Sequence, residues 1–203
     1  MSNDPEPRKE NGGCSRVGGW VLLAILILVL ASLLIPASQM TFIYPIERRS
    51  RATVNDLQVA LKSFQTEYAR WPADLERLPS EMPVRLPSGV VETLLAETGR
   101  FSSEDNPRAF RFIELPLARQ GKGGVIETVD GVLDLVDRWG SRYFVVVDVD
   151  EDGKVANPEA AVSLEKRGDK DAPAVLPVSI VIFSAGPDRE PETWTDNIAS
   201  WRQ

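Results

Sequence analysis

The chain contains no histidine at all. That removes the commonest general base, the usual base of a nucleophilic triad and the commonest zinc ligand. It has one cysteine, Cys14, so neither an internal disulfide nor a thiolate metal cluster can form. Cys14 precedes the long apolar run, which does not fit a lipid-attachment cysteine. Cations are outnumbered, 23 Lys and Arg against 30 Asp and Glu, for a formal charge of -7. Nucleic-acid binding needs a basic face, so this balance argues against such a partner. There is no phosphate-cradling loop, because Gly121-Lys122-Gly123-Gly124 lacks the rest of a P-loop. Without histidine a serine hydrolase would need a Ser–Lys pair, and nothing marks one. No repeat is visible. Neither an enzyme nor a small-molecule substrate is expected.

Along the chain three regions stand apart. Residues 1–19 are polar, with Pro5, Pro7, Gly12 and Gly13, and read as a disordered cytoplasmic arm or leader. Residues 20–44 carry no charge, and the run Trp20 to Ile35 is apolar or small throughout, long enough for a transmembrane helix. Arg8, Lys9 and Arg16 precede it and Arg48, Arg49 and Arg51 follow it, so flanking charge does not set its orientation. A retained anchor is expected rather than a cleaved signal. Residues 45–203 are read as one modest domain, with a possible insertion at 79–136.

In that domain Val54, Leu57, Ala60, Leu61, Phe64 and Tyr68 recur at helical steps, predicting an amphipathic helix over 51–69. Pro36 and Pro45 are expected to kink its junction with the apolar run. Trp71-Pro72 ends it. Ser88 is expected to cap a short helix closed by Gly99. Residues 109–115 alternate like a strand, 121–124 form a turn, and 125–136 read as strand and loop. The strongest strand signals are 143–149 and 175–184. The expected class is α+β: a membrane helix continuing into an amphipathic helix, packed on a small, mostly antiparallel sheet.

Three stretches could carry chemistry. Asp148, Asp150 and Asp152, with Gly153 and then Glu159, follow a calcium-loop spacing; the same residues also read as a plain hairpin turn. Asp188, Glu190, Glu192, Asp196 and Asn197 gather oxygen ligands where few bulky apolar residues could order a loop; a solvated acidic tail explains them as well. Asp137-Arg138-Trp139-Gly140-Ser141-Arg142-Tyr143 reads as a turn with aromatic packing.

Three stretches together resemble the type II secretion major pseudopilin and its type IV pilin-like relatives. Ala69-Arg70-Trp71-Pro72, after Phe64 and Tyr68 and before Leu75 and Leu78, is similar to the family's Gly-Arg-Tyr-Pro helix end. Asp137 to Tyr143 is similar to its Asp-Pro-Trp-Gly-Asn-Pro-Tyr. Ser184-Ala185-Gly186-Pro187-Asp188, with Thr195-Asp196-Asn197-Ile198 and Trp201, resembles its calcium loop. The resemblance implies calcium held by Asp188, Asp196 and Asn197, and a pilin-like fold. It implies partners among other pseudopilin subunits and inner-membrane secretion components, and a single-pass inner-membrane protein with its C-terminal domain in the periplasm. Gly19-Trp20 would stand for the leader-processing site. Ala24 occupies the position where the family carries a glutamate. The alternative expectation is a membrane-anchored periplasmic calcium-binding or interaction domain that does not polymerise.

Overall fold

The structure, a computed structural model, describes residues 14–79, 82–96 and 104–202, with the side chains of 14–18, 22 and 31–46 outside the description. The chain divides into two units, Met1–Pro45 and Ile46–Gln203. Most of the expected arm therefore lies outside the described residues, as do the side chains of Pro36 and Pro45 and the helix stop at Gly99.

Helix α1 runs Cys14–Tyr68. In the first unit its described side chains fall at 19–21 and 23–30 and are exposed. No helix among the described residues is long and apolar enough to cross a membrane. The expected transmembrane helix over 20–44, and with it single-pass inner-membrane placement, is corrected accordingly. In the second unit α1 carries the fold through Val54, Leu57, Ala60, Leu61 and Phe64, all buried.

The second unit is α+β with antiparallel sheets. Strands β1 (Val84–Arg85), β4 (Phe144–Val147), β7 (Ile180–Ser184) and β8 (Ile198–Ala199) make a four-stranded sheet in the order β1-β4-β7-β8. Strands β2 (Gly124–Glu127) and β3 (Leu133–Val136) form a separate hairpin, and β5 (Val155–Ala156) pairs with β6 (Val175–Leu176). Short helices α2 (Ala73–Glu76) and α3 (Ser88–Leu95) complete the elements.

The central pair is in the register Phe144↔Phe183, Val145↔Ile182, Val146↔Val181 and Val147↔Ile180. Side chains alternate across the pleat. Val145, Val147, Ile180 and Ile182 join Val54, Leu57, Leu61 and Phe64 of α1 in the main core. Val146 and Val181 face the other way, onto Val155 and Leu176. Phe183 packs there against Trp194 and Ala199. Both faces of β4 and β7 are covered, which is why these strands read as unbroken apolar runs.

Two expectations about local structure change. Residues 109–115 form no strand; Ala109 is left-handed at φ 50°, and the alternating side chains serve packing instead. Phe112 lies 5.3 Å from the Phe64 ring. Ser88 begins α3, but its hydroxyl donates to Asp134 rather than capping the helix. The helix ends on Ala96 at φ 50°.

Candidate functional site

Asp137 organises one end of β4. It is fully buried. Its Oδ1 accepts the backbone N–H groups of Trp139 (2.9 Å), Gly140 (2.8 Å) and Ser141 (2.8 Å). Its Oδ2 accepts the Ser184 hydroxyl at 2.6 Å. A carboxylate has the several acceptor sites this needs. The 137–143 and 184–201 stretches, separate in sequence, are thereby joined. Tyr143, two residues past the turn, is buried, and that burial and the nearby Asp137 charge push its hydroxyl pKa up.

The C-terminal loop starts where β7 ends. Gly186, at φ 68°, is required there: a Cβ would run into the Asp196 backbone carbonyl. The Asp188 N–H reaches Asp196 Oδ2 at 3.3 Å, and the Glu190 N–H reaches Asp188 Oδ1 at 2.8 Å. Asn197 donates its amide to the Pro191 carbonyl at 3.0 Å. Two oxygens remain: Asp196 Oδ1 and Asn197 Oδ1 are buried with no hydrogen-bond partner. Buried oxygens without donors are costly, and each calls for an explanation. Burial, then the Asp188 charge, raises the Asp196 pKa. Of the five residues singled out here, Asp188 and Asp196 thus come together, while the Asn197 amide is turned to Pro191 of the same loop. Glu192 turns away to Lys166 at 2.8 Å, which lowers its pKa, and Glu190 is exposed.

At the other end of β4 the chain enters the acidic turn. Asp148 is buried, and its carboxylate accepts the N–H groups of Asp152 (3.2 Å) and Gly153 (2.8 Å). The Trp71 indole donates to the Asp148 carbonyl at 3.1 Å. Asp148, Asp150 and Asp152 bring carboxylate oxygens within 4.8 Å of one another, and this cluster could hold a metal ion. Sharing a hydrogen bond with Asp148 pushes the Asp150 pKa up, with Asp152 adding to it. Beside the turn lies a cavity of about 430 Å³ lined by Gln65, Thr66, Asp148, Glu151 and Ser179.

Glu159 does not complete a calcium loop here. It is buried and ion-paired with Arg202, whose Nε donates to it at 3.0 Å, and it also accepts the Asp169 N–H at 2.6 Å. Arg202 in turn donates to the Trp194 carbonyl at 2.7 Å and lies over the Trp194 ring. The expected twelfth ligand is a structural anchor for the C-terminus. Gly19 and Trp20 lie inside α1; among the described residues a Cβ at Gly19 would meet nothing within 4 Å, and Trp20 is 72% exposed.

Sequence reasoning passed over Asn106. It is fully buried, accepts the Tyr68 hydroxyl at 2.6 Å, and donates to the carbonyls of Thr93 (3.0 Å) and Phe110 (2.8 Å). It ties the 79–136 region to the end of α1, and a lone asparagine in a polar loop gives no periodic signal of that.

No family model, curated protein or solved structure matches this chain.

Proposed function

We propose that this chain is a pseudopilin-like structural subunit of a secretion or pilus-type filament, with calcium ordering its C-terminal loop. The observation that carries the reading is the pair of orphaned oxygens, Asp196 Oδ1 and Asn197 Oδ1. They lie in the stretch that resembles the family's calcium loop, beside Asp188. A hard cation is the partner that two buried acceptors and a neighbouring carboxylate lack, because calcium gathers several oxygens in flexible geometry. The Asp137–Ser184 hydrogen bond adds support, since it joins the two most family-like stretches.

Calcium at this loop competes with the 148–152 cluster. Both loops have carboxylate oxygens engaged by backbone N–H groups, but Glu159 is withdrawn from the 148–152 cluster by Arg202, whereas the C-terminal loop keeps two buried oxygens without donors. The C-terminal loop is therefore the preferred calcium site, with Asp188, Asp196 and Asn197 as ligands.

One observation favours the alternative of a non-polymerising interaction domain: Ala24 stands where the family's assembly glutamate would be. Sedimentation and electron microscopy of the full chain with calcium separate the two. Concentration-dependent assembly into filaments is expected. A calcium-loaded chain that stays monomeric at every concentration would leave the interaction domain as the answer.

A further inference from the structure

The 116–123 loop carries a basic tip on an otherwise acidic chain. Arg119 and Lys122 exchange backbone hydrogen bonds, at 3.0 Å and 3.1 Å. Between them Gln120 and Gly121 sit at φ 54° and 70°, the pattern of a tight two-residue hairpin turn. Both cations are exposed. Arg138 joins them, its side chain running past Gly123 at 2.8 Å from where a Cβ would stand. Some cations of this unit, Arg70, Arg108, Arg142, Lys166 and Arg202 among them, have carboxylate partners, while isolated ones such as Lys62, Lys154, Lys170 and Arg189 form no ion pair among the described residues. Among the described residues Arg119, Lys122 and Arg138 form no ion pair. Like charges opposite one another on paired strands are destabilising. An anion lying against the arrangement relieves that repulsion. Leu117, 79% exposed, stands beside the tip.

The complementary feature is at the opposite end of β4. The 137–141 turn against which the basic tip packs precedes that strand. The turn bearing Asp150, Glu151 and Asp152, all exposed, follows it. The tip is a convex hairpin, and the acidic turn borders a cavity of about 430 Å³. Lysine or arginine cations can sit against clustered carboxylates just as a metal can, relieving their mutual repulsion.

We propose that the basic tip of one copy (Arg119, Lys122, Arg138) docks on the acidic turn and cavity (Asp150, Glu151, Asp152) of a second copy, head to tail. Because opposite ends of one strand bear the two surfaces, a copy whose tip is engaged can offer its turn to the next, the heterologous arrangement that an open assembly uses. The inference rests on the filament-subunit reading and names the contact between its subunits.

The test mixes ¹⁵N-labelled and unlabelled full-length chains and treats them with a water-soluble carbodiimide. The reagent activates a carboxyl, the Lys122 amine attacks it, and an amide forms as the urea leaves. The expected product joins Lys122 to the 150–152 segment in isotopically mixed pairs, with yield falling at high salt. Alongside, sedimentation compares two folded variants, Arg119→Glu with Lys122→Glu and Asp150→Lys with Asp152→Lys. Each alone should self-associate roughly tenfold more weakly, and their mixture should recover association. Association unchanged in both variants overturns this contact and leaves the filament reading standing. Cross-links confined to singly labelled species, or indifferent to salt, also overturn it. A native chain that never self-associates overturns both.

Discussion

Asp137 shows how much one side chain can hold. Its carboxylate satisfies backbone N–H groups of the turn before β4 and the Ser184 hydroxyl. Asp137→Ala strands those donors in a buried site and should cost at least about 3 kcal/mol in urea unfolding. Ser184→Ala, losing one bond to a charged group, should cost about 1.5–3 kcal/mol. Equal and negligible effects would remove Asp137 as the organiser of the two stretches. Asp196 gives a pH prediction. Burial raises its folded-state pKa above the unfolded value, so the folded state holds its proton more tightly. Its contribution is most favourable at acid pH and is lost as pH rises through the carboxylate range toward neutrality. Without calcium, Asp196→Asn should therefore raise the melting temperature at pH 7 and change little at about pH 3. An asparagine variant no more stable at pH 7 than at pH 3, relative to the native chain, contradicts the assignment.

At the scale of elements, the apolar stripe of α1 is the feature most legible in the sequence. Val54, Leu57, Leu61 and Phe64 are all buried, as their spacing requires. Phe64→Ala should cost about 3–5 kcal/mol, while Lys62→Ala, on the exposed face, should be nearly silent in the same denaturation series. The strands β4 and β7 were legible too, because burial on both faces leaves continuous runs of Val, Ile and Phe. The 79–136 region was not. Its order comes from single polar hubs such as Asn106 and Asp134, and contacts between side chains far apart in sequence leave no periodicity to read. The alternation at 109–115 was misleading for the same reason: Phe112 is aimed at Phe64 and Tyr68 by a loop, not by a pleat. The end of α1 supplies a further test. Ala69 is left-handed at φ 52°, a position that glycine fills at many helix ends. Relief of that strain, less the entropy glycine adds to the unfolded chain, should make Ala69→Gly stabilising by roughly 0.5–1 kcal/mol. Loss of stability in that variant would mean that the alanine methyl contributes packing that outweighs its backbone strain.

Over the whole molecule, both candidate cation sites extend from the four-stranded sheet's central pair: the 148–152 turn leaves β4, and the 186–197 loop leaves β7. The acidic residues were visible in the sequence, but their sorting was not. Folding sends Glu159 to Arg202 and Glu192 to Lys166, and leaves Asp196 Oδ1 and Asn197 Oδ1 without donors. A ligand that binds only the folded state stabilises it in proportion to the logarithm of its concentration over the dissociation constant. The most direct measurement is therefore the melting temperature of the full chain with calcium and with chelator, for the native sequence and two double variants. The account predicts that calcium raises the melting temperature of the native chain and of Asp150→Ala with Asp152→Ala, and that Asp188→Ala with Asp196→Ala abolishes the rise. A native melting curve indifferent to both calcium and chelator, or a rise abolished only in the Asp150 and Asp152 variant, would contradict it.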